Sequence, residues 1–192
     1  IKSSEDNTVE KAKSWEIAIG LRDVDGLKPS KYLIETAKEH IEGNIDLKEE
    51  EKRINQYYKV LDNRTLEEAS EEADKVSVRI TELLSEKSFT FNPTELINIH
   101  KRLFSGIFKD AGKIRDYNFM KNEWVLNGDT VTYASFETIE AALKYDFDEE
   151  KEYSYKDKTL DEAIKHLCRF TSNIWQIHPF CEGNTRSVAV FI

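Results

Sequence analysis

The stretch TLDEAIKHLCRFTSNIWQIHPFCEGNTR, residues 159–186, decides the fold. It opens on Thr159-Leu160-Asp161-Glu162, a Thr-x-x-Glu capping box that satisfies backbone donors at a helix start. Ile164, Leu167, Cys168, Phe170, Ile174 and Trp175 follow at helical spacing. They cover more than one stripe, which predicts a buried central helix. Pro179 and Gly183 then force a tight loop, and Val188, Val190 and Phe191 predict a second helix directly after it.

Outward from this stretch, helical signals recur. Asn92-Pro93-Thr94-Glu95 combines a capping side chain, proline at the first helical position and an acid in the first turn. Leu96, Ile99, Leu103, Phe104, Ile107 and Phe108 continue it. Thr65-Leu66-Glu67-Glu68 repeats the capping box, and Asp46-Leu47-Lys48-Glu49 offers a weaker cap before Ile54, Tyr57 and Tyr58. One segment differs. Trp124-Val125-Leu126 and Val131-Thr132-Tyr133 flank Asn127-Gly128-Asp129, and Asn-Gly between β-formers predicts a hairpin. A lone hairpin is marginal, so it must lie against helices as a flap. Near the start, Val9, Ala12, Trp15, Ile17 and Ala18, then Tyr32, Leu33, Ile34, Ala37 and Ile41, form two short amphipathic patterns separated by Asp25-Gly26 and Lys28-Pro29-Ser30. Residues 62–74 read as a solvated acidic helix face. The expected organisation is an N-terminal helical appendage at 1–58 and a principal domain at 59–192. The expected class is all-α with a small β-hairpin flap.

The 192 residues include 39% hydrophobic and 34% charged side chains, enough apolar surface for a core and too much for wholesale disorder. Seven Gly and three Pro exclude collagen-like and low-complexity chains. A formal charge of −9 makes non-specific nucleic-acid binding unfavourable, because neutralising phosphates needs clustered Lys and Arg. Cys168 and Cys181 are too few for a disulfide framework, so a reducing compartment is expected. No apolar run approaches the ~20 residues that span a bilayer, and no signal-peptide core is present. The expectation is a cytoplasmic protein with no membrane or nucleic-acid partner. Ile1 and the apolar ending Phe191-Ile192 read as cut ends of a longer chain.

His178-Pro179-Phe180-Cys181-Glu182-Gly183-Asn184-Thr185-Arg186 carries the chemistry. Gly183 and Asn184 begin a helix, where free backbone N–H groups and the dipole attract an anion. Arg186 adds a cationic fork suited to phosphate. Glu182 places a hard oxygen ligand beside that anion, the usual manner of holding Mg²⁺ with substrate phosphates. His178 titrates near neutral pH at the end of the preceding helix. Base, phosphate cradle and metal ligand together describe phosphoryl or nucleotidyl transfer to a hydroxyl. His100 and His166 read as core or boundary residues, Cys168 as helix core and Cys181 as a variable loop position. Arg115 is open between nucleotide and structure.

The string resembles the signature of the Fic family, H-P-F-x-[D/E]-G-N-[G/K/T]-R. Leu103-Phe104 and Ala111-Gly112-Lys113-Ile114-Arg115-Asp116-Tyr117-Asn118 resemble that family's approach to its flap. The resemblance covers about residues 60–192 and implies a helical Fic core and protein adenylylation, the transfer of AMP from ATP to a Ser, Thr or Tyr hydroxyl with release of pyrophosphate. It implies His178 as base, Glu182 as Mg²⁺ ligand, and Gly183, Asn184 and Thr185 as anion hole. Arg186 would contact the β-phosphate, Pro179 and Phe180 would lock the loop, and Glu123, Trp124, Val125 and Leu126 would dock the target on the flap. ATP and an unidentified target protein are the implied partners, and oligomerisation is left open. Thr185 stands at the common glycine, and Ala189 stands where many members carry a second arginine for the γ-phosphate. The lysine of the Doc branch, which phosphorylates, is absent. Residues 8–45 resemble a small antitoxin of the VbhA type, with Asp25 at the place of an inhibitory glutamate. A packing helical hairpin is the alternative for that segment. For the pocket, the alternatives are another nucleotidyl or phosphoryl transfer, removal of AMP, or a non-catalytic nucleotide-binding module.

Overall fold

A computed structural model describes residues 2–23, 26–60, 68–122 and 130–192. It is mainly helical with one small hairpin, as the sequence predicts. The chain divides by packing into two units, Ile1–Ser88 and Phe89–Ile192. Sequence places the division at 58/59. The N-terminal unit runs further because the helix after that point, α4, packs on the first and third helices.

The N-terminal unit holds α1 (Lys2–Asp23), α2 (Lys31–Glu42), α3 (Leu47–Val60) and α4 (Glu68–Leu84). Ser30 caps α2 by accepting the Leu33 N–H at 3.0 Å. Gly43, left-handed at φ 83°, ends α2 by donating to the Glu39 and His40 carbonyls. Asp46 caps α3 through the Glu49 N–H at 2.8 Å. Trp15, Ala18, Leu33, Ala37, Ile54, Ala73, Val76 and Ile80 form the core. Val9 and Ile17, assigned from sequence to the apolar face of the first helix, are instead exposed.

Residues 62–74 are not wholly a solvated face either. Asp74 is fully buried and gathers Arg22 at 3.4 Å, the Ser30 N–H at 3.1 Å, the Ser30 hydroxyl and the Tyr58 hydroxyl at 2.8 Å. A carboxylate survives burial only when paired and hydrogen-bonded in this way. The Thr65–Glu68 capping box lies outside the described residues, apart from Glu68 itself.

The second unit holds α5 (Pro93–Phe104), β1 (Lys121–Asn122), β2 (Thr130–Val131), a 3₁₀ turn (Phe136–Thr138), α6 (Ile139–Glu152), α7 (Leu160–Ile177) and α8 (Asn184–Phe191). Asn92 caps α5 as expected, at 2.8 Å from the Glu95 N–H. That helix stops at Phe104, and Ile107 and Phe108 fall in turns beyond it. β1 and β2 pair antiparallel, Lys121 opposite Val131 and Asn122 opposite Thr130. The Asn-Gly turn and the proposed docking residues Glu123, Trp124, Val125 and Leu126 lie outside the described residues.

The capping box of α7 is present in both directions between Thr159 and Glu162. Its burial differs from expectation. Phe170, Ile174 and Ile177 face inward, whereas Leu160, Ile164, Leu167, Cys168 and Trp175 are exposed. Helix α7 therefore uses one stripe against α6 and α8, not its whole circumference. The inward stripe meets an aromatic cluster of Phe91, Phe147, Phe170 and Phe191, with ring centroids 5.1–5.6 Å apart. Rings at that separation add about 0.5–1.5 kcal/mol per pair beyond area burial.

Candidate active site

His178 ends α7 in the left-handed conformation, φ 53°, which few non-glycine residues adopt. The turn sends the chain into the loop 179–183 and directly into α8. Phe180 is fully buried with its ring stacked on His100, centroids 3.8 Å apart. Asn184 closes the loop reciprocally: its Oδ1 accepts the Phe180 N–H at 2.9 Å and its Nδ2 donates to the Phe180 carbonyl at 2.7 Å. Its side chain is a structural pin, so only its backbone N–H belongs to the anion cradle expected from sequence.

Gly183 is required twice over. It sits at φ 73°, and a Cβ there would fall 2.6 Å from Cζ of Phe104. Arg186 in the first turn of α8 is buried, its guanidinium 4.7 Å over the Phe104 ring. Thr185 is partly exposed beside it. The sequence-assigned residues His178, Glu182, Gly183, Asn184, Thr185 and Arg186 are thus brought to one loop-to-helix junction. Asp25 lies outside the described residues.

The histidine itself is covered. Tyr133 stacks on its ring at 4.0 Å and Phe119 meets it edge-on at 5.6 Å. Burial holds its pKa down to about 4, with Lys121 and Arg115 acting the same way and the Trp175 carbonyl opposing them. A buried imidazole whose pKa is held down in this way stays neutral, the form that can accept a proton.

Glu182 points outward, 63% exposed, with Lys121 at 3.7 Å. Among the described residues no cluster of three or more His, Cys, Asp or Glu could hold a metal unaided. A single outward carboxylate beside a helix N-terminus fits Mg²⁺, which keeps waters and shares substrate phosphates.

Three residues support the loop; the sequence reading left Arg115 open between nucleotide and structure, and it did not single out Lys121. His100, read there as a core or boundary residue, is buried and accepts the Gly112 N–H on Nδ1 at 2.8 Å, which leaves the proton on Nε2 to donate to the Glu182 carbonyl at 3.0 Å. Burial lowers its pKa to about 4, consistent with this neutral tautomer. Arg115 grips carbonyls around His178. Lys121 stands between Glu182 and the Phe119 ring. Only proximity in space reveals these roles; nothing in their local spacing does. A shallow cavity of about 300 Å³, lined by Thr132, Tyr133, Ala134, Gln176 and Ile177 among others, adjoins the hairpin stem.

The described residues thus end one helix on a buried histidine, turn through a glycine-bearing loop and begin the next helix beside an outward carboxylate. The chain belongs to the Fic/DOC family, whose profile it matches over residues 90–192. No curated protein and no solved structure matches it.

Proposed function

We propose that the protein is an adenylyltransferase that moves AMP from ATP to a Ser, Thr or Tyr hydroxyl of a target protein. The observation that carries this reading is the buried neutral imidazole of His178 at the same junction as the N-terminus of α8. A ring nitrogen of His178 accepts the hydroxyl proton as the target oxygen bonds to the α-phosphorus. The bond from that phosphorus to the α–β bridging oxygen breaks, and pyrophosphate leaves. Backbone N–H groups at Gly183, Asn184 and Thr185 face the phosphates with the positive end of the helix dipole. Arg186 supplies charge to the β-phosphate side. Glu182 would hold Mg²⁺, which neutralises charge on the phosphates. The triphosphate beside His178 favours imidazolium and so brings the base closer to its working range.

The hairpin would receive the target's modified segment as an added strand, with Glu123, Trp124, Val125 and Leu126 as its docking residues. The VbhA-like reading makes residues 8–45 a restraint on turnover. Deleting residues 1–45 would strip α4 of the α1 face it packs on, so Asp25→Ala in the whole chain is the cleaner variant. Faster turnover supports restraint through Asp25; unchanged turnover leaves the segment a packing element.

The decisive experiment presents the protein with a cell lysate and ATP labelled on the α- or the γ-phosphate, with His178→Ala as control. Histidine-dependent α-label on protein supports AMP transfer. Histidine-dependent γ-label means phosphotransfer, and no label with either overturns the adenylyltransferase reading.

A further inference from the structure

Arg115 is 3% exposed, yet among the described residues no carboxylate accepts a hydrogen bond from it. All its acceptors there are backbone carbonyls. Its Nε donates to the His178 carbonyl at 2.8 Å, and Nη2 donates to Ile177 at 3.3 Å and also to Ala134. Nη1 donates to Tyr117 at 2.8 Å, and the Arg115 backbone N–H donates to Pro179 at 2.9 Å.

These partners form two sets. Ile177, His178 and Pro179 are consecutive carbonyls around the left-handed turn that ends α7. Tyr117 precedes β1 and Ala134 follows β2, so they are the two stems of the hairpin. A left-handed non-glycine residue persists only where its surroundings over-determine it, and Arg115 holds the carbonyl of that residue and of both neighbours. The guanidinium uses four of its five N–H groups in doing so, leaving little to offer a nucleotide.

We infer that Arg115 is the positioning residue of His178, fixing the turn that aims its ring and tying that turn to both stems of the hairpin. This rests on reading His178 as the base. Arg115 touches no reacting atom; it acts through the histidine, and a target that moves the hairpin moves the base with it. Lysine cannot replace it, because one ammonium cannot span carbonyls that a planar fork reaches on two sides.

The test compares whole-chain Arg115→Lys and Arg115→Gln with the wild type. Both should lose turnover roughly 100-fold, the cost of misplacing a catalytic group by about an ångström, while ATP affinity changes by no more than about threefold. NMR should show the His178 ring signal displaced in both variants and faster exchange of the Lys121 and Val131 amides. Equal loss of ATP affinity and turnover would make Arg115 a nucleotide ligand and overturn the inference, as would unchanged turnover with an undisturbed His178 signal. If both variants fail to fold, the wild type decides: slow exchange of the Arg115 Nε–H with scalar coupling to the His178 carbonyl supports the role, and rapid exchange without coupling refutes it. The NMR readouts stand even if the wild type transfers no AMP, so the two readings fail separately.

Discussion

Gly183 and His100 show how much of the site is held by single residues. At Gly183, a side chain would strain a backbone at φ 73° and drive a methyl against the Phe104 ring, to 2.6 Å from its Cζ, and that ring itself lies under Arg186. Gly183→Ala should therefore cost about 2–4 kcal/mol, from left-handed strain plus overpacking. Thermal denaturation reads that loss, and ATP titration should show weakened binding because the N-terminus of α8 shifts. His100 bridges the loop before the hairpin and the motif loop through Gly112 and Glu182. His100→Phe keeps the stack on Phe180 but leaves both partners unsatisfied. It should destabilise by roughly 2–6 kcal/mol, at 1–3 kcal/mol for each of the two stranded groups. Hydrogen exchange at Gly112 should rise with it; a protected Gly112 amide would mean another acceptor takes over.

At the scale of elements, caps and patterns placed most helices, while buried polar hubs decided how they pack. Asp74 on α4 joins α1 through Arg22, the start of α2 through Ser30 and α3 through Tyr58. Asp74→Ala removes the carboxylate facing a fully buried arginine, and breaking such a pair costs about 3–5 kcal/mol. Urea unfolding with exchange read along α1 and α4 would report it, and a loss under 1 kcal/mol would show that Asp74 is not the hub. Tyr58, half-buried and hydrogen-bonded to Asp74, has its pKa raised and stays neutral, donating a hydrogen bond to that carboxylate. Helix α7 teaches the reverse lesson. Its capping box is legible in four letters, but its exposed Leu160, Ile164 and Trp175 show that apolar spacing names candidate faces without saying which one is covered.

For the whole molecule, buried titratable groups set opposing responses to pH. His40, His100 and His178 all have pKa values lowered from 6.5 to about 4, chiefly by burial. The unfolded chain then binds more protons than the folded one between those values, so stability falls as pH drops from about 6.5 towards 4. Glu50, fully buried on α3, is pushed up from 4.5 to about 7, mainly by burial. Here the folded state binds the extra proton, so its contribution is lost as pH rises from about 4.5 to 7. Glu50→Gln should remove that alkaline loss and stabilise the N-terminal unit at pH 8 by on the order of 1–2 kcal/mol. Exchange rates of α2 and α3 amides at pH 5 and pH 8 check it; an equal pH response in wild type and variant would mean Glu50 does not titrate there. Among the described residues no helix is long and apolar enough to cross a membrane.

The order of letters alone determined whatever depends on neighbours along the chain. Asn92, Thr159 and Asp46 cap helices because a side chain reaches a backbone N–H three residues on. The nine residues from His178 to Arg186 announced their junction because loop, cap and charge are contiguous. Tertiary structure alone decided the rest. Asp74 became a buried hub, Arg115 a clamp and His100 a two-sided bridge because, Tyr117 apart, their partners lie 12 to 82 residues away. Burial and hydrogen-bond geometry are properties of residues brought together in space, and no local spacing encodes them. The neutrality of His178 has the same origin: Tyr133 and Phe119 cover it from distant points of the chain, burial disfavours its charged form, and the charges of Lys121 and Arg115 add to that.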